Sequence, residues 1–179
     1  MPYDAEQLRL LANLSQHYDV WLGAARRVST ERFKWKTVNG REYLYRVSAR
    51  KGIDTSVGPR TPETEGIFEE YDIARKTRDQ SLETLRTDAS IYRALKLPMV
   101  PAFAGDVLRE LDVRNLLGTS FLAIGTVALA AYEIEATDRL PPGYDTTDDF
   151  DLTWTHPVLG ASRPEPPNAL LAALKSVDA

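Results

Sequence analysis

Residues 121–133 read FLAIGTVALAAYE, and residues 146–154 read TTDDFDLTW. The first is a short apolar run, then Gly125-Thr126, then a run of helix formers, which spells strand, tight turn and helix. The second puts aspartates at 148, 149 and 151, directly around Phe150, Leu152 and Trp154, residue types that favour a strand. In an extended chain, neighbouring side chains point to opposite faces. Asp149 and Asp151 then share one face, while Asp148, Phe150 and Leu152 share the other. Carboxylates spaced this way have α-carbons roughly 6.5–7 Å apart and can hold one divalent cation between them. Without a cation, their repulsion drives one of the pair toward protonation. A hard ion such as Mg2+ or Mn2+ removes that penalty and recruits phosphate oxygens. Upstream, Gly125 lets the backbone approach a phosphate, Thr126 offers a hydroxyl, and the helix start offers unpaired N–H groups.

The totals narrow the class. A chain of 179 residues suits one domain, or one domain with an appendage. With 43% apolar and 27% charged residues, it has the composition of a globular protein, not a disordered one. No apolar run approaches the length of a membrane span, and MPYDAEQLRL lacks the basic-then-apolar layout of a secretory leader. The absence of cysteine excludes a disulfide scaffold, a thiolate zinc site and a cysteine nucleophile, and it suits a reducing cytoplasm. Two histidines, His17 and His156, argue against a multi-histidine metal site. The net charge of −4 is unevenly spread. From Arg26 to Arg60 ten Lys/Arg face three acids, a local +7, whereas from Glu133 to Asp151 seven acids face Arg139 alone, a local −6.

Reading outward, residues 4–26 carry apolar residues at helical spacing, enough for one or two amphipathic helices. In RFKWKTVNGREYLYRV, Asn39-Gly40 lies between two alternating runs and predicts a β-hairpin. Its register sets Trp35 opposite Leu44 on one face, and Lys34 and Lys36 opposite Tyr45 and Tyr43 on the other. That second face is cationic and aromatic, suited to nucleic-acid contact or to ordinary solvated cation–π pairs. Arg60, just before a helix start, is a candidate phosphate contact or a turn residue. Thr61, Pro62, Glu63 and Glu65 then announce a helix continuing to about Lys96, roughly 50 Å long, with a break near Asp79 as the alternative. Beyond Pro98 and Pro101, a helix over Phe103–Arg114 is expected to end near Gly118, and a final helix follows the proline-rich stretch after Gly160.

The stretches SVGPRTPETEGIF, IYRALKLPMVPAFAGDVLRELDVRNLLG, FLAIGTVALAAYE and TTDDFDLTW resemble a largely uncharacterised bacterial family of nucleotidyltransferase-fold proteins, of the polymerase-beta type, from about residue 32 onward. The resemblance implies an Mg2+- or Mn2+-dependent nucleotide site. Gly125 and Thr126 match its phosphate-side motif, and Asp149 and Asp151 match its catalytic, metal-binding carboxylates. Two departures stand out. Threonine replaces the usual serine at 126, and the third carboxylate of active members has no clear counterpart, since only Glu165 and Asp178 follow Trp154. Family members are usually longer, which implies a fragment or a short form.

The expected architecture is α+β: N-terminal helices and a β-hairpin over residues 1–98, a long connecting helix, and a small mixed-sheet core over residues 99–179. The expected function is transfer of an NMP from an NTP, ATP among them, to a hydroxyl acceptor on protein or RNA. The alternative is an inactive module of the same fold that contacts nucleic acid or a partner protein through the basic hairpin. The long helix offers a seam for a homodimer, and no membrane partner is expected.

Overall fold

Asn39 and Gly40 both take positive φ, 50° and 73°, the combination that a two-residue hairpin turn demands and that Asn-Gly tolerates best. A computed structural model of the chain describes residues 1–30, 32–47, 54–141, 150–154 and 166–177. The chain divides into two compact units, one of residues 13–89 and one of residues 1–12 and 90–179. The division falls inside two helices, α1 (Ala5–Thr30) and α2 (Pro62–Ala94), each unbroken. The break considered near Asp79 does not occur.

In the unit of residues 13–89, the turn joins strands β1 (Phe33–Val38) and β2 (Arg41–Arg46) in the expected register. Trp35 pairs with Leu44, Lys34 with Tyr45 and Lys36 with Tyr43. A third strand, β3 (Thr55–Pro59), adds antiparallel to β2 with a bulge between Leu44 and Tyr45. Its sequence, TSVGP, has no apolar alternation and ends in proline, which an edge strand tolerates, so nothing in the pattern announces it. One sheet face is apolar. Leu44 is fully buried, Trp35 meets Phe68 of α2 at 5.7 Å between ring centroids, and Phe33 meets Tyr71 edge-on. Helix α2 starts as Thr61 predicts. The Thr64 hydroxyl accepts the Thr61 N–H and donates to the Pro59 carbonyl, while Thr61 Oγ1 accepts the Thr64 N–H in return. His17 of α1 and Asp88 of α2 are joined by a 2.6 Å contact between Nδ1 and Oδ2.

The other unit packs α3 (Ala102–Val113) against α5 (Pro166–Val177), beside the antiparallel strands β4 (Phe121–Ile124) and β5 (Asp151–Trp154) and the helix α4 (Thr126–Ala136). The sheet expected to be mixed is, among the described residues, this antiparallel pair. Val107, Leu111, Phe121 and Ala173 form its core, with Phe150 and Leu152 packed against them. Helix α3 ends one turn earlier than Gly118 suggested. Asn115, at φ 56°, is the left-handed residue, with its N–H donating to Asp112 and that of Leu116 donating to Leu111. This is a paired C-terminal cap that asparagine can fill in place of glycine. Gly118, at φ 76°, instead turns the chain into β4 and donates to the Phe121 carbonyl. Helix α2 ends the same way around Lys96, at φ 53°. At the chain start, Asp4 and Gln7 cap α1 reciprocally, and Tyr3 donates its N–H to the Thr137 carbonyl at the end of α4. Gln7 Nε2 and Arg139 Nη2 both donate to the Leu95 carbonyl.

Leu111→Ala removes a fully buried side chain from this core, and the loss is expected to be about 3 kcal/mol, read as a lower urea midpoint. Tyr92 gives a pH test. Its hydroxyl donates to the Pro98 carbonyl, and burial pushes the phenol up to about 12, from 10.0. A group whose folded value is raised stabilises the fold below its unfolded value and loses that contribution as pH climbs through the folded one. Wild type should therefore lose stability between about pH 10 and pH 12 in excess of Tyr92→Phe, measured by denaturant titration across that range.

Candidate nucleotide and metal site

Strand β4 ends at Ile124, and the chain must turn at once to begin α4 at Thr126. Gly125 makes the turn as the N-cap residue, with φ 70° and ψ −154°. Side-chain-bearing residues reach this region only under strain, so the position requires glycine. The constraint is also steric. A Cβ built on Gly125 would lie 2.7 Å from Oδ2 of Asp151 and 3.6 Å from its Cβ and Cγ.

Asp151 reaches that position through strand pairing. It opens β5 directly opposite Ile124, so the residue before the turn and the carboxylate are register partners. The alternation read from DDFDLTW holds around it: Phe150 and Leu152 pack on the core while Asp151 is exposed. Trp154 closes the strand against Phe121, with 6.0 Å between ring centroids. Two halves of the sequence pattern, 26 residues apart, are thereby brought into direct contact. Thr126 and the first N–H groups of α4 follow Gly125 in the chain; helix starts leave such groups without intrahelical partners. Asp149 lies outside the described residues, as do His156, Glu165 and Asp178. Among the described residues, no group of three His, Asp or Glu side chains is placed to hold a metal ion.

The basic candidates belong to the other unit. Arg60 donates from Nη1 to Glu42 and from Nε to Glu65, both at 2.7 Å, and its guanidinium lies 5.1 Å from the centre of the Trp35 ring. The Glu65 hydrogen bond, followed by that of Glu42, raises its pKa further above the usual value. Arg60 thus ties the start of α2 to β2. Lys34 and Lys36 converge on Asp54 at 2.8 and 2.6 Å, and Lys36 also sits 4.6 Å from the centre of the Tyr45 ring. Hydrogen bonds from Lys34 and then Lys36 hold the Asp54 carboxyl below the usual carboxylate range. Asp54 and Glu42 were not singled out from the sequence, and Glu65 was read only as a residue of the helix start. The signal for Asp54 was available, as it is the one acid between the hairpin and Arg60 in a strongly basic stretch.

Residues 102–179 match a family model described as Nucleotidyltransferase. The match spans the region from α3 to α5, and it supports nucleotidyl transfer as the general class of activity. No curated protein and no solved structure matches the chain. No described helix is long and apolar enough to cross a membrane.

The contact between Gly125 and Asp151 can be tested by stability alone. Gly125→Ala should cost about 1–3 kcal/mol through the positive φ and the steric conflict. Asp151→Ala in that background should recover part of the loss, leaving a favourable coupling in a double-mutant cycle. Simple additivity in thermal or urea unfolding would show that the two residues do not meet.

Proposed function

We propose that residues 99–179 carry a metal-dependent nucleotidyltransferase site, moving an NMP from an NTP to a hydroxyl on a protein or RNA acceptor. The observation that carries this reading is the apposition of Gly125 and Asp151. An exposed carboxylate is held against a residue with no side chain, beside a helix start. The residues fit a hard divalent ion, because Asp151 offers oxygen ligands and Asp149 follows the same alternation by sequence. When bound, Mg2+ or Mn2+ would neutralise phosphate charge and stabilise the developing charge on the leaving oxygen.

The chain's own groups have separate tasks. Asp151, with Asp149, would hold the ion. Gly125 leaves room for phosphate oxygens to approach the backbone, and the Thr126 hydroxyl and the N–H groups at the start of α4 would orient them. In the overall reaction the acceptor oxygen bonds to the α-phosphorus, the bridging bond to the β-phosphate breaks, and pyrophosphate and a proton are released. A non-catalytic module of the same fold is the second reading, favoured by the ion-paired aromatic face of the hairpin. It would contact nucleic acid or a partner protein through the basic hairpin and release no pyrophosphate.

Calorimetry with each of the four NTPs, with and without Mg2+ or Mn2+, tests the site. Wild type should bind at least one of them only in the presence of metal, and Asp151→Asn or Asp149→Asn should weaken that binding at least about tenfold. Metal-independent binding that ignores both substitutions would overturn the reading.

A further inference from the structure

The three-stranded sheet has one face against α2 and one face free of it. Pairing puts Lys34 opposite Tyr45 and Lys36 opposite Tyr43, so two cations and two phenol rings alternate across the second face. The side chains of Lys34 and Lys36 remain 47% and 39% exposed even though both reach Asp54. Residues 32–47 hold five cations and a single acid, Glu42, which is itself engaged by Arg60. Val38, also exposed, continues the face next to the turn, and Ser56 extends it from β3 opposite Tyr45.

We propose that this face binds single-stranded nucleic acid, with Tyr43 and Tyr45 stacking on bases while Lys34 and Lys36 take phosphates. The site is separate from the nucleotide site and does not depend on it. Charge complementarity names the occupant class, and the rings narrow it. An acidic peptide would use the lysines but gain little from the aromatic faces, and a duplex would hide the bases that the rings could meet. Asp54 is the internal competitor. The Asp54 side chain is only 14% exposed while the lysines stay open to solvent, so phosphate oxygens can reach the lysines from the free side, and the carboxylate keeps that face from acting as an open polycation. Affinity should accordingly be modest in wild type and rise when the competitor is removed.

Fluorescence anisotropy with labelled oligo-uridylate and oligo-thymidylate of roughly 12 nucleotides, over about 50 to 200 mM KCl, tests this in the full chain. Wild type should bind either or both oligonucleotides more tightly than a duplex of equal length. Asp54→Asn should tighten binding about fivefold. The pair Lys34→Ala/Lys36→Ala should weaken it and flatten the log–log salt slope by about 1.4, the share of two phosphates on a single strand. Tyr45→Ala should weaken it about tenfold with the slope unchanged, and Tyr45→Phe should keep it. Circular dichroism melts confirm folding, and Lys34→Gln/Lys36→Gln replaces the alanine pair if that pair fails to fold. The proposal is overturned if wild type and Asp54→Asn both fail to bind at low salt, or if binding ignores the lysine and tyrosine substitutions. Equally tight binding of polyglutamate, insensitive to Tyr45→Ala, would reassign the face to an acidic protein partner.

Discussion

The pairing of Ile124 with Asp151 is the constraint on which the C-terminal region depends. It fixes where β5 starts, which of its residues face the core, and what can follow β4. Because the carboxylate arrives beside the turn, the turn residue can carry no side chain. A residue without one then leaves backbone and carboxylate adjacent at the mouth of a helix. A single register choice thus sets the geometry of a candidate site whose parts come from two distant stretches. A slip of one residue would send Asp151 into the Val107–Leu111–Phe121 core and bring Phe150 or Leu152 out to solvent, a doubly unfavourable exchange.

In the other unit, charge is handled differently. Arg60 and the two lysines stand in a stretch with a strong excess of positive charge, yet each cation has an acid within hydrogen-bonding distance. Arg60 links Glu42 on β2 to Glu65 in the first turn of α2 while stacking on Trp35, so it acts as a clasp between sheet and helix. The lysines share one carboxylate between them. The same sequence feature, a basic run, therefore contains one cation held from two sides and two that share a single acid on an exposed face.

Much of this was legible in the sequence, for physical reasons that differ by element. Asn39-Gly40 specified the hairpin and its register because few dipeptides accept positive φ twice in succession. Thr61-Pro62 specified the start of α2 because a hydroxyl cap and a missing N–H suit that position alone. The aspartate alternation was readable because the neighbours of Asp151 are strongly apolar. What escaped was set by tertiary context. Strand β3 owes its place to the edge that β2 offers, not to its own composition, and the end of α3 went to Asn115 because a paired cap can use asparagine where glycine was expected. Asp54 was legible only as the one acid in a strongly basic stretch; its pairing with Lys34 and Lys36 of β1, two strands away in the sheet, came from the fold.

The boundaries of the two units carry a topological consequence. One of them is built from the first twelve residues together with residues 90–179, so it is discontinuous, and residues 13–89 are an insertion within it. The matched family segment begins at residue 102, yet the unit that contains it also takes in Tyr3, Gln7 and Leu95, which bond to the end of α4 or to one another. During synthesis the bonds of Met1 and Tyr3 must wait for Arg139 and Thr137 to be made, whereas the inserted segment has all of its strands and most of α2 much sooner. Order of folding along the ribosome would therefore run from the middle of the chain outward.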